Sequence, residues 1–433
     1  MNDLAANHWQ RRLPFFYGYV MIPVAMLVQI CTSPGQTFAV SAFTPALRQS
    51  LQLSDSTLSL AYMLGTLLAA VPLSVIGPLS DRYGLKVVTL VAVGALASAC
   101  WYASHVTGFY TLLIAFFLLR FLGQGSLSLL SGNAISMWFR TRIGRVSAVM
   151  SIGMSVAFAW VPQWLSESIV ESGWRWTYQA LAAIIAATMI PTVVVLFRNR
   201  PEDIGQAVDG VGRVDTRSSG SDESTKDASD VHTQVEYSLN LRQSLRSRSI
   251  YILGATTFLW AMAGTGFVFY LFDICADRGQ DGQVAGDLFK TFGLTMLVLQ
   301  LAGGVLADYV PLNRLLGLGS VMLAAGTASL WVASDATMLH VFAALFGGGQ
   351  GLLISVGSVV WVRYYGREHL GSIRGTVWSL TVAGSGCGPL LMGVVRDRFG
   401  VFDPAIGFFG LAMTLLAVVA WWATPPTALA VEA

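Results

Sequence analysis

Charge is what this sequence has least of. Only 12% of its 433 residues are Asp, Glu, Lys or Arg, where a soluble domain averages about 25%. A chain that is 54% hydrophobic lacks the polar surface needed to face water on all sides. The five histidines (His8, His105, His232, His340, His369) fall in loops or at segment ends without ligand spacing. The four cysteines (Cys31, Cys100, Cys275, Cys387) lie far apart in apolar runs, so neither a disulfide framework nor a zinc site fits them. There is no phosphate-binding glycine loop of the Walker type, no Gly-x-Ser-x-Gly and no buried acid pair. ATP hydrolysis, serine-nucleophile chemistry and intramembrane proteolysis are thereby disfavoured, and nothing calls for a cofactor or a metal. A net charge of +2 without a basic arm leaves no footprint for nucleic acid.

What the sequence does have is long apolar blocks, such as 87–103, 109–119 and 405–422. About 20 apolar residues cross a bilayer as a helix, the one local structure that satisfies its own backbone in lipid. Twelve such segments begin near Phe16, Leu58, Val87, Phe109, Val146, Trp174, Ile250, Ala285, Leu315, Leu339, Ser372 and Pro404. The first follows Arg11 and Arg12, is too long for a signal peptide core and has no small-residue cleavage site, so it reads as a retained span. With the N-terminus inside, nineteen of the Lys and Arg residues fall at cytoplasmic ends, five at outer ends and two within spans. Without the long middle loop the ratio is still eleven to five. By the positive-inside rule both termini are expected in the cytoplasm. The expected protein is an all-α, multi-pass protein of the cytoplasmic (inner) membrane. It divides into a first bundle (1–197), a mostly disordered cytoplasmic linker (198–248) rich in Ser, Asp and Arg, a second bundle (249–424) and a short tail (425–433).

The two halves repeat each other. Gly35-Gln-Thr-Phe38 in span 1 matches Gly264-Thr-Gly-Phe267 in span 7, and Asp81 after span 2 matches Asp308 after span 8. Gly123-Gln-Gly125 in span 4 recurs as Gly349-Gln-Gly351 in span 10, and Arg145 before span 5 as Arg374 before span 11. Four matches in order, at offsets of 226 to 229, point to duplication of a six-helix unit. Parallel repeats of this kind are built for transport, two bundles rocking about a cavity near the bilayer midplane.

Gly77-Pro-Leu-Ser-Asp81-Arg82-Tyr-Gly84-Leu-Lys86 resembles the signature between spans 2 and 3 of the major facilitator superfamily. The resemblance extends over the whole chain through span count, orientation, middle loop and repeat, and implies the two-bundle fold of that family. It makes Asp81, with Arg82, Gly77 and Gly84, an inner gate: a carboxylate at a helix end facing the N-terminus of span 11, which its charge favours. The second copy keeps Gly304 and Asp308 but has Tyr309-Val-Pro311 where Arg and Gly would fall. A narrower resemblance, to bacterial relatives of the monocarboxylate transporters and oxalate/formate antiporters, rests on Phe15-Phe-Tyr-Gly-Tyr19, Pro34-Gly-Gln-Thr-Phe38, Trp174-Arg-Trp176 and Arg200-Pro-Glu-Asp-Ile-Gly205. Related proteins often bind a small carboxylate with an Arg on span 8, whose place is taken here by Gln300.

Ionisable groups inside spans are costly and mark function. Arg120, about eleven residues into span 4, is a candidate for substrate binding or coupling, or else a structural Arg bonded to carbonyls. Lys290 could supply the cation missing at Gln300, with Asp287 one turn away as partner, or could snorkel to the headgroups. Asp273 is either a protonatable coupling group or a solvated helix end. Gln36, Tyr62, Gln124, Tyr270, Gln300, Gln350 and Trp378 would complete a mainly apolar site with polar contacts, although polar side chains also serve helix packing. Pro34 and Gly35 mark a hinge. The expected cargo is a small organic solute, a monocarboxylate foremost, moved by proton symport or anion exchange. Export of a neutral or hydrophobic compound stays open, favoured by the aromatic content and the absent span 8 Arg, as does a transporter-shaped sensor. A twelve-helix chain can act as a monomer, and no strong dimer motif stands out.

Overall fold

The computed structural model describes residues 15–139, 142–210, 239–366 and 370–426. Among them are twelve helices long and apolar enough to cross a membrane, each starting within three residues of the position expected from the apolar blocks. They are α1 (Gly18–Leu51), α2 (Asp55–Tyr83), α3 (Leu85–Ala103), α4 (Phe109–Trp138), α5 (Ile143–Ser172) and α6 (Trp174–Val195), then α7 (Arg248–Phe269), α8 (Gly282–Leu306), α9 (Leu312–Val332), α10 (Ala336–Tyr365), α11 (Leu370–Phe399) and α12 (Asp403–Ala420). A short helix, Leu271–Asp277, prolongs α7. Helices α1–α6 pack on one another, as do α7–α12, and the two bundles meet chiefly along α2 against α11 and α5 against α8. These two seams are one seam under a shift of six helices, as duplication requires.

Within lipid, helices gain little from hydrophobic association and must approach closely enough for dispersion. Small residues permit it. On α11, Gly384 and Gly388 lie one turn apart, and a Cβ on either would meet a carbonyl of α7, that of Phe258 or Met262. On α10, Gly347 and Gly351 repeat the arrangement against the Phe292 and Met296 carbonyls of α8. Gly84 and Gly173 are single-residue turns between consecutive helices, with φ of +87° and +83°, a region that side chains with a Cβ rarely enter.

The described ends of the segment 198–248 hold short ordered elements. Pro201–Ile204 forms a helical turn closed by Gly205. Gln206 then clasps the start of α1, accepting from the Tyr17 amide at 2.8 Å and donating to the Phe15 carbonyl at 3.0 Å. The Tyr17 hydroxyl donates to Leu196 O at 2.8 Å. The Phe15–Tyr19 motif is thus held by Gln206, the residue that follows the Arg200–Gly205 motif. On the second bundle the Leu239 amide donates to Tyr365 O at 2.9 Å. Residues 211–238, and Arg11, Arg12, Arg140 and the tail beyond 426, lie outside the described residues.

Substituting Gly388→Val drives a side chain into the Met262 carbonyl and is expected to cost about 1–3 kcal/mol by overpacking. Gly77→Ala, where no atom outside its own stretch of helix lies within 4 Å of the added carbon, should not destabilise and should gain up to about 1 kcal/mol of helix propensity. Thermal unfolding of the two purified variants beside the parent measures the difference.

Candidate functional site

Between the bundles lies a cavity of about 890 Å³, lined by α1, α4 and α5 on one side and by α7, α8, α9, α10 and α11 on the other. It opens at the face that carries the α2–α3 and α8–α9 turns, where Arg374, Gly375 and Trp378 are exposed along it.

Arg120 stands on the first bundle's wall and is only 4% exposed. Two departures from regular structure place it. The helix α1 is interrupted by a tight turn at Ser33–Gly35, where Pro34 denies it an amide donor. α4 runs as a π-helix from Arg120 to Leu127, a bulge that often marks functional sites. The two irregular stretches touch glycine to glycine: a Cβ on Gly35 would meet the Leu119 carbonyl and the Gly123 Cα, and one on Gly123 would meet the Thr32 carbonyl. The carbonyl of Gly35, released by the break in α1, accepts from Arg120 Nη1 at 3.1 Å. Nε donates to Thr66 Oγ1 at 3.1 Å, and the guanidinium carbon lies 5.0 Å from the Tyr62 ring centroid, a cation–π contact. Tyr62 is itself fixed by a 2.7 Å bond between its hydroxyl and that of Thr37. Among the described residues, no Asp or Glu lines the cavity or pairs with Arg120. Arg120 is therefore a buried cation that has hydrogen bonds and a ring contact but no acidic partner among the described residues.

The other residues singled out in the sequence divide between this cavity and elsewhere. Gln36, Gln124, Gln350 and Trp378 line it. Tyr62 supports Arg120 from behind the wall. Lys290, expected as a substitute for the missing span 8 cation, is not among the residues that line the cavity in this structure. Its Nζ is held by Asp287 at 2.8 Å, a half-exposed pair one turn apart on α8. Gln300 lies in the α5–α8 seam, with its amide 3.3 Å from Ser151 Oγ. Tyr270 and Asp273 belong to the closed end described next. Asp81 and Arg82 sit exposed in the last turn of α2, and among the described residues no hydrogen bond joins Asp81 to α11. Asp308 pairs with Arg363 at 2.6 Å within the second bundle.

The opposite face is closed in two layers. Rings meet across the bundles first: Tyr62 with Phe269 at 4.7 Å and Phe158 with Phe289 at 5.4 Å between centroids. Beyond them lies a charged layer that the sequence reading did not foresee as a unit. Asp397 of α11 accepts from the Asp55 and Ser56 amides at 3.1 and 2.9 Å, capping the N-terminus of α2 from the other bundle. Ser54 satisfies the Thr57 amide at 3.2 Å, so three of the four orphan donors of that helix end have partners. The Tyr270 hydroxyl donates to Asp55 O at 2.9 Å. Arg48 binds Asp55 at 2.6 Å and, across the bundles, Asp273 at 3.0 Å. Burial of Asp273, only partly offset by Arg48 and reinforced by Asp55, pushes its carboxyl up to about 6. No single residue announces this layer; the signal was the placement of Asp55 and Asp397 at helix ends on the same face.

This architecture defines a membrane transporter of the two-bundle kind, and the comparisons with known proteins agree. The sequence profile of the Major Facilitator Superfamily matches residues 25–277 and 253–432, and the chain belongs to that superfamily. It is 24% identical over 367 residues to the uncharacterized MFS-type transporter YhjX of Escherichia coli (strain K12), covering 82% of each chain. It is 32% identical over 123 residues to the MFS-type transporter oryN of Aspergillus oryzae, covering 28% of this chain and 24% of that one. Two solved structures share the fold at 13% identity. One is a bacterial homolog of the human lysosomal transporter Spinster in an inward-facing, unoccupied conformation (TM-score 0.68, 96% of this chain and 97% of that one). The other is a point mutant of the nucleoside transporter NupG (TM-score 0.69, 94% and 99%).

Two outcomes are expected at the closed face. Asp397→Ala should lower hydrogen-exchange protection of the first turn of α2 about tenfold, the loss of a cap worth roughly 1–2 kcal/mol. Opening the seam would rehydrate Asp273 and return its carboxyl toward 3.8, so the closed form binds the proton more tightly between 3.8 and about 6. Acidification through 6 therefore favours closure, by a factor of about ten between pH 7.5 and 5. Protection of 271–277, corrected for intrinsic exchange, should rise accordingly in the parent and show no such rise in Asp273→Asn.

Proposed function

We propose that this chain is a secondary active transporter of small organic anions, monocarboxylates foremost, working by alternating access with proton symport or anion exchange. The observation that carries this reading is Arg120: buried in the cavity wall, held by Thr66, Gly35 and Tyr62, and without a carboxylate partner among the described residues. A carboxylate can take two parallel bonds from a guanidinium and supply the missing charge. The motifs shared with the monocarboxylate and oxalate/formate carriers support the same reading, and here the cation sits on α4 rather than on α8.

The charge distribution of the loops supports a location in the cytoplasmic membrane with both termini inside. The cavity mouth then faces the cytoplasm, and the described state is inward-facing. In the outward-facing state Asp81 would dock on the N-terminus of α11 while the Asp397 cap on α2 is released. These contacts are helix-end locks of the same chemistry at opposite faces, exchanged as the bundles rock about the break at Pro34 and Gly35. Asp273, buried and short of a full counter-charge, is the proposed proton-coupling group, and the Lys290–Asp287 pair is a structural pair on α8. Export of a neutral compound finds support in the aromatic cavity walls, but gives the charge of Arg120 no counter-ion.

Uptake of labelled lactate, pyruvate, formate and oxalate into proteoliposomes, with and without an inward proton gradient, tests the reading. Arg120→Gln is expected to reduce uptake at least a hundredfold. Arg120→Lys, which keeps the charge but loses the fork, should reduce it about tenfold, and Lys290→Ala should stay within about twofold. Uptake that survives Arg120→Gln in folded protein would overturn the assignment.

A further inference from the structure

The two walls of the cavity differ in chemistry. The first bundle's side carries the polar Gln36, Thr37, Arg120 and Gln124, together with Phe38, Met154 and Phe158. The second bundle's side carries Leu253, Trp260, Leu353, Ile354 and Val360. Most hydroxyls on that wall are engaged by the protein. Thr256 donates to Ile252 O at 2.7 Å, Thr257 to Leu253 O at 2.8 Å, Ser358 to Ser355 O at 2.6 Å and Thr381 to Val377 O at 2.9 Å. Thr265 donates to Ser385 Oγ at 3.1 Å. A hydroxyl turned onto its own helix offers the cavity mainly carbon. The polar exceptions on this side are Gln350, the Thr265–Ser385 pair and, at the mouth, Arg374.

Size adds a second argument. A cavity of about 890 Å³ has room for roughly thirty waters at about 30 Å³ each, near the top of the range for pockets that hold drug-sized ligands. An acid of lactate size seated on Arg120 would touch the first bundle only, leaving the opposite apolar wall in contact with water. Such a ligand has little differential contact with which to favour closure of one bundle on the other, and a ligand shifts a conformational equilibrium only through such a difference.

Resting on the anion-transport reading above, we propose that the cargo is an amphipathic monocarboxylate: one carboxylate for Arg120, and an alkyl or aryl body of about six carbons or more that reaches Trp260 and the second bundle's wall. The carboxylate selects the anion, and the body couples the bundles. Phe158, already packed on Phe289 and Phe292 of α8 at 5.4 and 5.1 Å, and Met154 and Met296 give that body an adaptable lining.

The test measures affinity of the full chain in nanodiscs of neutral lipid, by calorimetry, for acetate, butanoate, hexanoate, octanoate, phenylacetate and the neutral phenylacetamide. Affinity is expected to rise roughly fourfold per buried methylene, so that hexanoate binds at least tenfold more tightly than butanoate. Phenylacetate should exceed its amide at least tenfold. Arg120→Gln should remove the preference for acid over amide, which separates the site from partition into lipid. Trp260→Ala should weaken octanoate and phenylacetate about tenfold and butanoate by less than twofold, with Phe158→Leu as the second variant should the first not fold. A flat chain-length series with acids still preferred over the amide would sink the amphipathic cargo and leave the anion reading standing. A rising series in which the amide binds as well as the acid would overturn both. No binding of any probe to wild-type protein with a normal unfolding transition would overturn the proposal made here, while Arg120-dependent uptake of lactate or oxalate would still uphold the anion reading.

Discussion

The guanidinium of Arg120, held inside an apolar bundle by a carbonyl, a hydroxyl and a ring, is the interaction around which the transport core is arranged. A cation at that depth is tolerated only where nearby groups replace its water, and a regular helix has no free carbonyl to give. The break in α1 at Ser33–Gly35 frees the Gly35 carbonyl. The π-helical stretch of α4 begins at Arg120 itself. Both irregularities depend on the Gly35–Gly123 approach, because any side chain there would hold the two helices apart. Pro34, two glycines and one arginine thus act together.

The same economy of backbone donors governs the far face. A helix start in a membrane protein needs partners for its amides, and α2 takes two of its own from Asp397 on the other bundle. Closing the bundles is therefore the act that completes a helix terminus. Arg48 adds charge to that contact by binding one carboxylate from each bundle. Contacts of this kind are exchangeable, because water can replace each partner when the seam opens. The ring layer beneath them keeps water out while the seam is closed.

Span number, helix starts and the six-helix duplication were legible in the sequence because lipid imposes one solution on a long apolar run. Arg120 was legible for the same reason, since a charge within such a run stands out. The Gly35 break was readable from Pro34-Gly35. That Lys290 lies off the cavity was not legible: position along a span follows from counting residues, whereas the direction of a side chain follows from how its helix is rotated in the bundle. Gln300 shows the same limit, being turned into the α5–α8 seam. The anchoring of Gln206 was not legible because its partners, Tyr17 and Phe15, lie nearly two hundred residues away.

By itself the sequence determined that the chain crosses a membrane twelve times as two repeated bundles, and that one arginine lies within α4. Hydrophobic run length, charge placement and repeat offset are properties of the chain alone. Only the tertiary structure decided which groups that arginine meets, which face is closed, and that Asp55, Asp273 and Asp397 form one layer with Arg48. Those facts depend on bringing residues up to 342 positions apart into contact, and local patterns carry no record of such distances.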